Sequence, residues 1–141
     1  MHQGVSAVSN VAKENVVLVA EDDPYMRNLV KLALGDVTVI EAENGDRALE
    51  LYEKHKPNVV MLDIHMPGKN GKDVLKEILE IDANAYVVMM SADSVADNVL
   101  STHHAGAKGF VRKPFKKEVI LRYLQLCPTL KFNPDDKVAS V

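Results

Sequence analysis

Four short segments carry side chains that could act together chemically: Glu21-Asp22-Asp23, Asp63, Ser91 and Lys113. Each alone has an ordinary explanation. An acidic residue ahead of a helix caps it or complements its dipole, and Asp23 before Pro24 suits that role. Ser91 could cap a following helix, and Lys113 could be a solvated lysine. Taken together they say more. Gathering two or three carboxylates in one crevice raises their pKa values and disfavours ionising the set. A divalent cation relieves that repulsion, and one or two carboxylates with waters completing an octahedron describe a Mg2+ site. A lysine reaching the same place neutralises a carboxylate or an incoming anion. A carboxylate, a cation, a hydroxyl and a lysine suit transfer of a phosphoryl group to the carboxylate. No Gly-x-x-x-x-Gly-Lys-[Ser/Thr] segment is present, so a P-loop nucleotidase is excluded.

Those residues meet only if the fold brings them to one place, and the apolar pattern supplies such a fold. Short apolar runs alternate with longer amphipathic ones. The first strand is predicted over Val16–Ala20, followed by a helix begun by Pro24 and stopped at Gly35-Asp36. Val37–Ile40 reads as the second strand, and a helix follows Asn44-Gly45-Asp46 and closes at Lys56-Pro57. Val59–Leu62 is a third strand ending at Asp63, then a loop leads to a helix from Gly71. Tyr86–Met90, a helix over Val95–His104, a short strand at Phe110-Val111 and a helix over Val119–Leu126 complete the series.

Five successive strand–helix units with near-continuous apolar strands imply a parallel sheet covered on both faces. Right-handed crossovers allow helices on both faces only if the strand order reverses somewhere. Five strands favour the flavodoxin-like doubly wound α/β order 2-1-3-4-5, whose switch point lies between strands 1 and 3. Ligands of such sheets bind beyond the carboxyl ends of the strands, where Glu21, Asp22, Asp63, Ser91 and Lys113 all fall.

The rest of the composition narrows the class. Seventeen basic residues against 20 acidic ones give a net charge of −3, which offers no electrostatic footprint for nucleic acid. No apolar run approaches the ~20 residues of a membrane span. A lone cysteine, Cys127, forms no intrachain disulfide and suits a cytoplasmic setting. Residues 1–14 read as a flexible arm without a signal peptide, 15–127 as the folded domain and 128–141 as a tail.

Four segments carry a resemblance. They are Val19-Ala20-Glu21-Asp22-Asp23-Pro24, the stretch from Met61 to Gly71 with its Asp-x-x-Met-Pro-x-x-x-Gly pattern, Met90-Ser91-Ala92, and Gly106 to Phe115 with its Lys-Pro-Phe. Here, and in order from Asn15 to Leu126, the chain resembles the receiver domain of two-component response regulators, of the single-domain, chemotaxis-regulator-like kind. The resemblance implies that Asp63 accepts a phosphoryl group from a phosphohistidine of a sensor histidine kinase or histidine phosphotransfer protein. It implies that Mg2+ is bound by Asp22 and Asp63 directly, by Glu21 through water and by the His65 backbone carbonyl. It further implies that Ser91 and Lys113 contact phosphoryl oxygens, that Phe110 is the aromatic whose rotamer follows phosphorylation, and that the Lys113–Pro114 bond is cis.

The output implied is a change in the face formed by the fourth helix, fifth strand and fifth helix, read by a downstream protein or by a phosphorylation-dependent dimer. No turnover of an external substrate is implied beyond the chain's own phosphotransfer and dephosphorylation. Two positions depart from the commonest family residues. Ser91 stands where threonine is frequent, and Phe110 stands where tyrosine is also common, so switch strength and output are the properties these choices affect. His65 and Asp93, two residues beyond Asp63 and Ser91, are expected either to tune hydrolysis or to be solvated loop residues. His103-His104 suits a helix C-terminus rather than a metal, the basic run Arg112–Lys117 apart from Lys113 suits solvent, and Cys127 suits packing.

Two competing readings bear on the same residues. The chain could be the receiver portion of a longer regulator with its own output domain. A Mg2+-dependent phosphatase with an aspartyl nucleophile is the enzyme alternative. That class resembles Asp-x-Asp after the first strand, which Glu21-Asp22-Asp23 lacks, and it usually needs room for a cap insertion.

Overall fold

The computed structural model describes residues 15–92 and 96–131. The arm expected over 1–14, Asp93, and the chain beyond Lys131 lie outside them. The elements in order are β1 (Val16–Ala20), α1 (Pro24–Leu34), β2 (Thr38–Ala42), α2 (Gly45–His55), β3 (Val59–Asp63), α3 (Gly71–Ile81), β4 (Val87–Ser91), α4 (Ala96–His104), β5 (Gly109–Arg112) and α5 (Lys117–Leu126). All strand pairs are parallel and the order is β2-β1-β3-β4-β5, the predicted doubly wound α/β sheet.

Position in the sheet explains the strand sequences. β3 and β4 are central, buried at every residue, and read as unbroken apolar runs up to their final polar residue. On one face, Val17, Val19, Met61, Val88 and Met90 pack beneath Val30 and Leu34 of α1 and Ile120 and Leu124 of α5. On the other, Leu18, Leu62 and Met89 meet Leu51 of α2 and Val74 and Ile78 of α3. Each such fully buried aliphatic side chain contributes roughly 1.5–3 kcal/mol, most of it offset by chain entropy. Asp23, Asn44 and Asn70 cap α1, α2 and α3 by accepting from the N–H groups of Tyr25, Arg47 and Asp73. Among the described residues no helix is long and apolar enough to cross a membrane.

The boundaries of three elements differ from expectation. β2 runs over Thr38–Ala42 rather than Val37–Ile40, because it pairs residue for residue with all of β1 and so includes the charged Glu41. β4 is Val87–Ser91 rather than Tyr86–Met90, since Ser91 still pairs with Arg112. α5 begins at Lys117, two residues before its apolar stripe, in a solvated first turn.

Packing also continues beyond the expected domain end at 127. Leu130 is buried in the core, and the Asn15 side chain exchanges two 2.8 Å hydrogen bonds with the Lys131 backbone. Cys127 is itself buried, its sulfur 3.5 Å from the Asn58 carbonyl, as a packing residue should be.

Candidate functional site

Strand register assembles the site. Ala20 is paired with Leu62, so Glu21, the next residue, comes beside Asp63. Asp63 is paired with Met90, which places Ser91 one step beyond, and Ser91 is paired with Arg112, which does the same for Lys113. The four chemically capable segments thus converge at the carboxyl edge of β1, β3, β4 and β5. The turn after β3 is closed by Gly71, whose N–H donates to the Ile64 carbonyl at 2.8 Å. A Cβ there would lie 2.1 Å from the Asp63 carbonyl oxygen, so only glycine allows α3 to start this close to the strand end.

Within the crevice, one carboxylate oxygen each from Glu21, Asp22 and Asp63 lies within 4.8 Å of the other two. Glu21 and Asp63 are 1% and 2% exposed, whereas Asp22 opens to solvent. The Lys113 ammonium stands 2.5 Å from Glu21 Oε1 and 3.2 Å from Asp63 Oδ2, so the solvated-lysine reading of Lys113 is overturned. Glu21 Oε2 accepts from the Asp23 N–H at 3.1 Å, and Asp63 Oδ1 takes a long 3.4 Å contact from the His65 N–H. The Lys113–Pro114 peptide is cis, as the resemblance implies.

Charge is the dominant feature of the crevice. Burial holds the Asp63 carboxyl above the usual carboxylate range, and Lys113 offsets this only in part. Glu21 is raised as well: burial outweighs the pull of Lys113 and of the Asp23 N–H, and Asp63 adds repulsion. Burial works against the Lys113 charge, but Glu21 and Asp63 more than compensate and hold it above the ordinary lysine value. Among the described residues, three carboxylates face one ammonium with oxygen the only donor type, a set that fits a hard divalent cation of the Mg2+ kind.

Ser91 is fully buried at the end of β4, beside the crevice. Phe110 is half-buried on β5, packs against the α2–α3 side of the core and helps line a depression of about 300 Å3 with Leu100, His103 and Tyr123. His65 is exposed, and His103 and His104 sit in the last turn of α4.

Two contributors escaped the sequence reading. Tyr123 of α5 lies over Gly109, and its hydroxyl accepts from the Phe110 N–H at 3.4 Å. Arg27 of α1 donates through Nη1 to the carbonyls of Glu21 (2.7 Å) and Asp22 (3.3 Å), and through Nε to Glu41 Oε1 (3.0 Å). Lys31 takes the other Glu41 oxygen at 2.9 Å. Lys31, with Arg27 adding, holds the Glu41 carboxyl below its usual range. The available signal was the pair Arg27 and Lys31, one helical turn apart, with an acid just after the apolar run Val39-Ile40.

Comparison with known proteins agrees with this geometry. The model of the response regulator receiver domain matches residues 17–125. The chemotaxis protein CheY of Bacillus subtilis is 42% identical over 108 residues, spanning 74% of this chain and 90% of that protein. CheY of Halobacterium salinarum is 37% identical over 107 residues, spanning 74% and 89%. Among solved structures, the CheX–CheY–BeF3–Mg2+ complex from Borrelia burgdorferi aligns with a TM-score of 0.76 at 29% identity, covering 79% of this chain and 87% of that one. With its sheet order, its strand-end carboxylates and these relatives in agreement, the chain belongs to the response regulator receiver family, among the CheY-like members.

Proposed function

We propose that this receiver is a phosphorylation-driven switch in which Asp63 takes a phosphoryl group from a phosphohistidine of a sensor histidine kinase or histidine phosphotransfer protein. The observation that carries the reading is a carboxylate 2% exposed at the carboxyl edge of the sheet, with an ammonium at 3.2 Å and two further carboxylates within 4.8 Å. A fold has little reason to maintain so repulsive a cluster unless an incoming cation and anion use it.

In the transfer, an Asp63 carboxylate oxygen attacks phosphorus, the phosphorus–nitrogen bond breaks, and the imidazole leaves with the electron pair and takes up a proton. Asp22 and Asp63 would hold Mg2+ directly, Glu21 through water and His65 through its backbone carbonyl. When bound, the cation supplies charge that stabilises the phosphoryl oxygens in the transition state. Lys113 already touches Asp63 and needs little movement to meet a phosphoryl oxygen. The Ser91 hydroxyl binds another oxygen and is drawn toward it, and Phe110 turns into the space vacated. This shifts an existing two-state equilibrium and remodels the face of α4, β5 and α5.

That face then engages a downstream protein or a second copy of the chain, while the phosphodonor docks at α1 and the loops around Asp63. Such a switch works in the cytoplasm, without contact to nucleic acid or membrane, and turns over no external substrate. Incubation with a small acyl phosphate and Mg2+, followed by intact-mass measurement, tests the reading. The expected result is a gain of one phosphoryl group that requires Mg2+ and is lost in Asp63→Asn. No gain in the wild type would remove the reading, and hydrolysis of a generic phosphomonoester would favour the phosphatase alternative.

A further inference from the structure

Arg27 has no part in the chemistry above, yet it is tied to the turn that carries the acids. Its Nη1 takes the carbonyls of Glu21 and Asp22, the two residues whose side chains join Asp63 in the crevice. Its Nε is committed to Glu41 on β2, and Glu41 is held a second time by Lys31. The Arg27 side chain is only 17% exposed, and its bond to the Glu21 carbonyl is partly buried, where a hydrogen bond is stronger. The turn needs such support. Three carboxylates confined within 4.8 Å of one another repel, and a turn free to relax would carry Glu21 and Asp22 away from Asp63.

We propose that Arg27 is a positioning residue for the cation site: its guanidinium fixes the carbonyls of Glu21 and Asp22, so that their carboxylates stay gathered around Asp63, and Glu41 fixes the guanidinium. The proposal rests on the reading of the crevice as a Mg2+ site. Its sign separates it from simpler roles. Arg27 is a positive charge beside an intended cation, so on electrostatic grounds alone its removal tightens Mg2+ binding. A purely structural role lowers stability and leaves affinity unchanged. Positioning predicts weaker binding in spite of the favourable change in charge.

The test is calorimetric titration of the full chain with Mg2+, with Mn2+ paramagnetic resonance as a second readout and thermal unfolding as a control. The variants are Arg27→Met, Arg27→Lys, Glu41→Leu and Asp22→Asn. Arg27→Met is expected to bind Mg2+ roughly 10- to 100-fold more weakly, the usual loss when a group that orients metal ligands is removed. Arg27→Lys keeps the charge but not the planar fork, and is expected to stay weak. Glu41→Leu, which releases the guanidinium, is expected to fall between Arg27→Met and the wild type. Unchanged or tighter binding by Arg27→Met, or full recovery by Arg27→Lys, overturns the proposal. If Arg27→Met does not fold, the charge-conserving Arg27→Lys decides, and wild-type affinity there overturns the proposal equally. A wild type that binds no Mg2+, or an Asp22→Asn that binds normally, removes the cation reading itself and the positioning role with it.

Discussion

Replacing Asp63 by Asn removes one negative charge from a buried cluster at nearly constant volume, so its effect on stability measures what the crevice costs the fold. At an effective dielectric constant of about 20, two unit charges 4.8 Å apart repel by roughly 3.5 kcal/mol. Glu21 and Asp22 both approach Asp63 within that distance, although the exposure of Asp22 screens its share. The opposing attraction is that of the Lys113 ammonium at 3.2 Å, roughly 5 kcal/mol on the same scale. The charge terms therefore nearly cancel, and burial decides the sign. Taking a carboxylate out of water costs several kcal/mol, and a buried amide costs less. Lys113 keeps Glu21 as its partner. Asp63→Asn is expected to be more stable than the wild type by about 2 kcal/mol at neutral pH, or roughly 5–10 °C in Tm.

Proton linkage gives the pH dependence of that gain. Folding raises the Asp63 carboxyl, so the native state binds its proton more readily than the unfolded chain does. Wild-type stability therefore falls as pH rises from the ordinary carboxylate value through the raised native one. Asp63→Asn lacks that loss, and its advantage should vanish in acid below the ordinary value. With no tryptophan in the chain, unfolding is best followed by far-UV circular dichroism, in chelator and then in Mg2+. Mg2+ should raise the Tm of the wild type more than that of the variant. An Asn variant less stable than the wild type in chelator at neutral pH would refute the reasoning, because the carboxylate would then be a net stabiliser.

Three further substitutions probe the surroundings. Lys113→Met leaves Glu21 and Asp63 buried without their ammonium and should cost about 3–5 kcal/mol in chemical denaturation at neutral pH, with the loss shrinking in acid. Gly71→Ala forces a methyl to within 2.1 Å of the Asp63 carbonyl oxygen. It should cost about 1–3 kcal/mol and weaken Mg2+ binding by moving the strand end, both readable in one calorimetric series. Leu130→Ala should cost about 2–4 kcal/mol, and truncation after Cys127 at least as much, if the 128–131 segment is part of the core; a truncated chain with wild-type Tm would show that it is not.

The legibility of this fold follows its burial. The central strands were readable because both of their faces are covered, so Val59–Leu62 is uninterrupted and Asp63 stands out as the first charge after it. β2 was misplaced because it lies at the edge, where Glu41 can be tolerated and periodicity fades. Asp23 as a cap and Cys127 as packing were local readings that needed no distant partner. Leu130 gave no signal because it and Phe132 are too few apolar residues, in a Pro- and Thr-containing stretch, to show a periodicity. Arg27 was hidden for a different reason. On a helix it looks like any solvated arginine, and its meaning lies in carbonyls and in an acid 14 residues away, which only the β1–β2 pairing brings near.

The central claim is that Asp63 itself becomes the acyl phosphate, and locating the modification tests this most directly. After phosphorylation with an acyl phosphate and Mg2+, borohydride reduction marks the modified carboxyl, and peptide mapping identifies the residue. The mark should fall on Asp63 alone, depend on Mg2+ and be absent from Asp63→Asn. A mark on Asp22 or Glu21, or one that persists in Asp63→Asn, would contradict the account.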